Sequence, residues 1–191
     1  MAADPGPLPP ARELDHADDE RFAAVLGPLF EEAPAFLAAL AAGRPFGTWA
    51  RLFTAATEVA LGLPEPAAVE LLDAHPRIGA DPMMVSAMSY VDQGFDRDAA
   101  DAASADAARA AAADARHVAA DLARLNDAYE ARFGFRFVVF VAGRSRSAIV
   151  PLLAAALDAG RAAERDRGLR DVIAIGAARA ARLGLPEEGT P

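Results

Sequence analysis

Residues 74–79, Ala74-His75-Pro76-Arg77-Ile78-Gly79, place one of the chain's three histidines where an apolar helix has to end. Over residues 65–72, a proline near the start and apolar residues at helical spacing predict a helix. Pro76 disfavours helical backbone at the residue before it. We therefore expect the helix to end at His75.

A histidine at a helix end is suited to proton transfer. The last backbone carbonyls of a helix have no partner within it, and its negative pole favours a protonated imidazole. Histidine is also the side chain that gains and loses a proton near neutral pH. His75 is therefore a candidate general acid or base. The alternative is a capping histidine whose ring only bonds the last carbonyls of the helix.

The composition indicates a folded, cytoplasmic protein without a membrane partner. The chain has 191 residues, of which 53% are hydrophobic, enough for one domain with a core. No apolar run approaches the roughly 20 residues that span a bilayer, and the start of the chain lacks a basic-then-apolar signal pattern. We expect the chain to be soluble and to remain inside the cell.

Two residue types are missing, and their absence excludes several chemistries. The chain has no cysteine and no lysine, so its nineteen basic residues are all arginine. Thiolate nucleophiles, Schiff bases and a phosphate-loop lysine are thereby excluded. The formal charge of −9 disfavours a nucleic-acid partner, because neutralising phosphates requires a basic face. A small anion bound by a few arginines remains compatible.

The spacing of apolar residues predicts an all-α fold in a single helical domain over residues 18–185. Residues 1–17 and 186–191 are predicted to be flexible tails. His16 and His117 are expected at the surface and Trp49 in the core. The first predicted helix begins at Asp18 or Asp19. Further helices are predicted over 33–42, 48–61, 65–72, 97–132 with a break near Ala111, 147–156 and 169–183.

Two further stretches carry unusual patterns. In a helix, Ser89, Asp92 and Gln93 would share one face and present a hydroxyl, a carboxylate and an amide to a polar ligand. The alternative is a solvated helix end capped by Gly94. The apolar run over residues 133–143 is compatible with a short buried strand, a buried extended loop or the start of a helix.

Taken in order, these motifs resemble one family. The residues that carry the resemblance are His75-Pro76, Ser89-x-x-Asp92-Gln93, and Leu125-Asn126-x-x-Tyr129-x-x-Arg132-Phe133-Gly134-Phe135-x-Phe137-Val138-Val139, with Leu26 to Glu31, Pro34 and Arg44-Pro45-Phe46 before them. The chain resembles the decarboxylases of 2-oxo-4-hydroxy-4-carboxy-5-ureidoimidazoline, OHCU. The resemblance covers nearly the whole chain and implies an all-helical, usually dimeric enzyme that needs neither cofactor nor metal. The family converts OHCU, a small-molecule substrate, to S-allantoin and carbon dioxide in urate degradation.

The resemblance also assigns roles to residues. It implies that His75 is the proton donor, with Asp92 as the second catalytic residue. Substrate binding is implied for Pro76, Ser89, Tyr90, Val91, Asp92, Gln93, Phe137, Val138, Val139, Phe140 and Val141. In the last five residues the backbone amides would meet the polar ligand.

This chain departs from the family pattern in four places. Asp92 stands where the family commonly has glutamate, and Gly94-Phe95-Asp96 replaces the usual continuation. Ala142 stands where some members have arginine, a role that Arg144 or Arg146 could take. The Ala-rich segment after Gln93 is also longer than in typical relatives. Two alternatives therefore stay open: a paralogue that binds a ureido compound or a protein partner without turnover, and a helical regulatory protein without a pocket.

Overall fold

The computed structural model describes residues 7–80, 83, 85–93 and 105–186, with the backbone alone over 105–112. Within these ranges it contains helices and connecting segments and no strand, which confirms the all-α prediction. No helix in them is long and apolar enough to cross a bilayer. The helices are α1 (Ala11–His16), α2 (Asp19–Leu26), α3 (Pro34–Ala41), α4 (Trp49–Gly62), α5 (Glu65–Ala74), α6 (Ala87–Asp92), α7 (Ala105–Phe133), α8 (Arg146–Ala156) and α9 (Arg161–Leu183), with a 3-10 turn at Gly27–Leu29.

The described residues fall into two compact units. The first contains the residues up to Ala74 and those from Asp166 onward, and the second contains His75–Arg165. Every residue that the sequence singled out for a functional site belongs to the second unit.

The first unit is organised around apolar side chains and one buried arginine. Trp49 is only 2% exposed, which confirms its predicted place in the core. Arg179, on α9, is 1% exposed and donates hydrogen bonds to the carbonyls of Pro28 (3.1 Å) and Leu29 (3.2 Å). Its guanidinium also pairs with the Glu31 carboxylate at 2.7 Å. These contacts satisfy a charge that would otherwise be costly to bury.

The structure differs from the predicted N-terminal tail over residues 11–16, which form helix α1. Leu14 is 1% exposed, so the helix has an apolar anchor. Asp15 accepts hydrogen bonds from the backbone N–H groups of Phe46 (2.7 Å) and Gly47 (2.8 Å). Six residues were too few to show a periodic pattern, and their partners lie about thirty positions away along the chain.

Helix α7 is the long element of the second unit and packs against α8. It is continuous through Ala111, so the predicted break there is wrong. Its 29 residues include no glycine or proline, and alanine is the strongest helix former. Residues 97–104 of the predicted helix lie outside the described residues. His117 is exposed on α7, as predicted, and His16 is exposed as well.

An aromatic cluster fixes the segment that follows α7. Tyr129 is fully buried, and its ring lies 4.5 Å from that of Phe133, 5.9 Å from Phe135 and 5.1 Å from Phe137, centroid to centroid. The tyrosine hydroxyl donates to the Glu164 carboxylate at 2.9 Å. After Phe133 the run over 133–143 is in neither a helix nor a strand, and Phe135, Phe137, Val138 and Val141 within it are buried. Of the three structures that its composition allowed, this corresponds to a buried loop.

Candidate active site

His75 is the first residue after α5 and begins the second unit, as its position before Pro76 predicted. The residue is 3% exposed. Its backbone carbonyl accepts a hydrogen bond from Nη1 of Arg136 at 2.9 Å. His75 is therefore a buried residue in a loop that Arg136, from the segment after α7, holds by a hydrogen bond. We call residues 75–79 the histidine loop.

Gln93 fastens the histidine loop with both ends of its amide. The backbone N–H of Gly79 donates to Oε1 at 2.8 Å, and Nε2 donates to the carbonyl of Arg77 at 3.1 Å. The carbonyl of Ile78, between these two residues, accepts from Nδ2 of Asn126 at 3.0 Å. The loop backbone is therefore held by side chains from the end of α6 and from α7.

Gly79 is the position of the histidine loop where a side chain would be strained. Its φ is +78°, a conformation that costs other L-residues about 1–2 kcal/mol. A Cβ atom at this position would also lie 2.9 Å from Cδ1 of Leu122 on α7. The glycine allows the loop to approach α7 closely enough for the Asn126 and Gln93 hydrogen bonds.

Arg77 ties the histidine loop to α7 through charge. Its Nε and Nη2 donate to the two carboxylate oxygens of Glu130 at 2.7 and 2.5 Å, and Nη1 donates to Asp127 at 2.8 Å. The hydrogen bonding of Arg77 to the Glu130 carboxylate is the main cause that raises the pKa of Arg77 above its ordinary value. The guanidinium thus stays charged at any working pH.

The second predicted segment, Ser89 to Gln93, lies on α6 and its C-terminal cap. The hydroxyl of Ser86 caps the helix by accepting from the N–H of Ser89 at 3.1 Å. Ser89 and Gln93 are 3% and 6% exposed, so their face of the helix is buried rather than a solvated end. Asp92 and Tyr90 are partly exposed, and Val91 is 38% exposed. Gly94, the proposed cap, lies outside the described residues.

The third predicted segment, Phe137 to Val141, is in neither a helix nor a strand. Phe137, Val138 and Val141 are buried, and Val139 and Phe140 are partly buried. In the part of the chain that the structure describes, no acceptor lies within hydrogen-bond distance of the backbone N–H groups of Val139, Phe140 and Val141.

Arg144 follows this segment and folds back onto it. Its Nε donates to the carbonyl of Val141 at 2.9 Å, and its Nη2 donates to that of Phe140. Ala142, where some relatives were expected to have arginine, has a φ of +51° and reverses the chain. Arg144 therefore stabilises the turn that follows the segment.

The sequence analysis did not assign roles to Arg77 or Arg136, and it quoted Asn126 only within a motif. Each of them bonds a residue between 48 and 61 positions away in the chain. No group of three histidine, aspartate or glutamate side chains arranged like metal ligands occurs among the described residues. The histidine loop is held by the side chains of Gln93, Asn126 and Arg136, and Arg77 of the loop pairs with carboxylates on α7.

The fold and the buried His75 together indicate a class of protein: a helical protein with a candidate acid–base site. The model of the OHCU decarboxylase family matches residues 15–181, so the chain belongs to that family. It is 29% identical over 178 residues to the 2-oxo-4-hydroxy-4-carboxy-5-ureidoimidazoline decarboxylase of Halalkalicoccus jeotgali, covering 93% of each chain. It is 24% identical to the uric acid degradation bifunctional protein PucL of Bacillus subtilis, covering 93% of this chain and 33% of that protein.

Two solved structures share the fold. An OHCU decarboxylase crystallised in the presence of (S)-allantoin superposes with a TM-score of 0.61 at 19% identity, covering 87% of this chain and 98% of the other. An (S)-allantoin synthase superposes with a TM-score of 0.62 at 17% identity, covering 92% of this chain and 54% of the other. The helical fold predicted from the family resemblance is thereby confirmed.

Proposed function

We propose that this chain decarboxylates OHCU to S-allantoin and carbon dioxide, a step of urate degradation. One observation carries the proposal: Gln93 and Arg136 join the three predicted site segments at the histidine loop. Family membership and the names of the relatives support the choice of substrate.

The reaction asks little of the protein beyond placement. When the bond between the ring carbon and the carboxylate breaks, its electron pair stays on a carbon conjugated to a carbonyl and an imine-like nitrogen. The substrate thus serves as its own electron sink. The protein has to orient the carboxylate, donate hydrogen bonds where charge develops, and deliver a proton to one face of the ring.

The residues of the second unit fit these tasks. His75 would donate the proton to the ring carbon and so set the configuration of the product. The N–H groups of Val139, Phe140 and Val141 would bind the carbonyl oxygens of the ring or the ureido group. Pro76 and the segment from Ser89 to Gln93 would line the remaining part of the site. Asp92 would orient the imidazole of His75.

The proposal includes a cytoplasmic homodimer that needs no cofactor, without a nucleic-acid or membrane partner. A second candidate function follows from Asp92, because aspartate reaches less far than the glutamate that the family commonly has. Such a chain could bind a ureido compound without turning it over. Sedimentation analysis tests the dimer, and the assay below separates the two functions.

The direct test generates the substrate OHCU in the assay mixture. Purified protein is added to freshly oxidised urate together with hydroxyisourate hydrolase, and circular dichroism follows the appearance of chiral allantoin. We expect dextrorotatory allantoin to form much faster than by spontaneous decay. If the rate with the protein equals the spontaneous rate, the proposed activity is wrong and the binding function takes its place.

Asp92 distinguishes an adapted site from an impaired one. We expect Asp92→Asn to lose much of the rate, because the amide cannot hold the imidazole as a carboxylate does, whereas Asp92→Glu should bring no large gain. A displacement on the order of 1 Å can cost about a hundredfold. Steady-state rates of both variants test this prediction. Strong activity of Asp92→Glu over a nearly inactive parent would identify the parent as a degenerate paralogue.

The Ala-rich segment before His117 should be dispensable for catalysis. Residues 98–114 contain almost no large apolar side chains, so the segment can bury little surface. Deleting about seven residues, two helical turns, from the first part of α7 keeps the face of the remaining helix in register. We expect unchanged turnover of OHCU in this deletion variant. A collapse of turnover with the helical circular dichroism preserved would place the segment over the substrate.

A further inference from the structure

Arg136 connects two parts of the proposed site through one side chain. Its backbone lies one residue before Phe137, at the start of the third predicted segment. Its Nη1 donates to the carbonyl of His75 at 2.9 Å, across 61 positions of sequence. This hydrogen bond joins the residue that would donate the proton to the start of the segment that would bind the substrate.

The backbone of Arg136 is itself anchored on both sides. Phe135 and Phe137 flank it, are 2% and 3% exposed, and both pack edge-on against the ring of Tyr129. An arginine whose main chain is fixed in this way transmits the position of the segment to whatever its guanidinium holds. A charge-assisted hydrogen bond is also shorter and stronger than a neutral one.

The other braces of the histidine loop act further along it. Gln93 bonds the backbone of Arg77 and Gly79, and Asn126 bonds that of Ile78. These contacts fix the loop after Pro76, whereas Arg136 bonds the histidine residue itself. The hydrogen bond from Arg136 therefore bears on the position of His75 more directly than the bonds from Gln93 and Asn126 do.

We propose that Arg136 is a positioning residue, which keeps His75 in register with the substrate-binding segment. The inference rests on the proposed function. Arg136 would not touch the reacting atoms, so its loss should leave binding nearly intact and misplace the proton donor. Proton transfer is sensitive to such displacement, because the donor has to lie within hydrogen-bond reach of the carbon that it protonates.

The test compares substitutions of Arg136 that distinguish the effect of its charged guanidinium donor from that of its aliphatic stem. Arg136→Met keeps the stem and removes the charged donor, and we expect kcat to fall about 10- to 100-fold with KM within about threefold. Arg136→Lys restores a charged donor and should recover a large part of kcat. Arg124→Met is the matched control: Arg124 is exposed on α7 and bonds Asp121, three residues away, so this variant should behave as wild type.

A second readout does not require activity. The chain has only three histidines, and His16 and His117 are exposed, so their imidazole proton resonances serve as internal references. We expect Arg136→Met to shift or broaden the resonance of His75, assigned by its loss in His75→Asn, and to leave the other two in place. This measurement tests the positioning role even if wild-type protein does not accelerate OHCU decay, a result that would overturn the proposed function alone.

Each outcome decides the inference. An unchanged His75 resonance in Arg136→Met, a kcat equal to wild type, or a lysine variant no better than the methionine variant would overturn it. A rise in KM at constant kcat would make Arg136 a substrate ligand and overturn it as well. If Arg136→Met does not fold, Arg136→Gln replaces it with the same expectations.

Discussion

His75→Asn should fold like the wild type and lose nearly all acceleration of OHCU decarboxylation. The amide of asparagine cannot donate a proton to carbon at neutral pH, and general acid–base catalysis contributes roughly a hundred- to ten-thousand-fold. The rate of chiral allantoin formation measures the loss, and thermal denaturation shows whether the fold is kept. The asparagine side chain is only moderately smaller than that of histidine, so the buried space around residue 75 should stay largely filled.

His117→Asn is the matched control for that experiment. It makes the same chemical change at an exposed position of α7 and should leave both the rate and the melting temperature at wild-type values. If His75→Asn keeps more than about half of the wild-type rate, general acid catalysis by His75 is ruled out. The capping interpretation of this histidine would then stand.

Gln93→Leu should produce the second largest loss, because it removes the two hydrogen bonds that the Gln93 amide makes with the histidine loop. The N–H of Gly79 and the carbonyl of Arg77 would lose their partners, and a buried unsatisfied group costs about 1–3 kcal/mol. We expect a clear drop in melting temperature and a kcat about a hundredfold lower, since displacement of a catalytic group on the order of 1 Å has that effect.

The division between kcat and KM decides what Gln93 does. A loss confined to kcat fits a brace of the histidine loop, whereas a rise in KM at constant kcat would show the substrate-binding role implied by the family resemblance. Thr57→Val is a suitable control, because it removes a hydroxyl that only bonds the Phe53 carbonyl of its own helix at 3.0 Å. Its rate and KM should match those of the wild type.

The sequence alone was informative where local chemistry decides structure. Pro76 ends α5 at the expected place, and the shared face of Ser89 and Gln93 follows from helical spacing. The composition of residues 133–143 could not decide between strand and loop, because the answer depends on whether another strand is present to pair with. In the described residues there is none, and Tyr129 supplies the packing surface instead.

The braces of the histidine loop were beyond the reach of sequence patterns. Arginine and asparagine at partly apolar positions have many possible partners, and the actual ones lie 48 positions away for Asn126 and 61 for Arg136. Only the tertiary fold brings them to the loop. The sequence predicts Gln93 as a substrate-binding residue, but it does not predict the contact of Gln93 with the loop backbone.

The choice of braces has a consequence for reading a pH–rate profile. The amides of Gln93 and Asn126 do not ionise, and arginine stays protonated at any pH used for an enzyme. Because the carboxylate partners raise the pKa of Arg77, its guanidinium stays charged at every pH below the ordinary arginine range. The side chains that hold the loop backbone by hydrogen bonds thus keep one protonation state from about pH 5 to 9. An inflection of kcat within that interval would report ionisation at the reaction centre itself, against a frame that does not change.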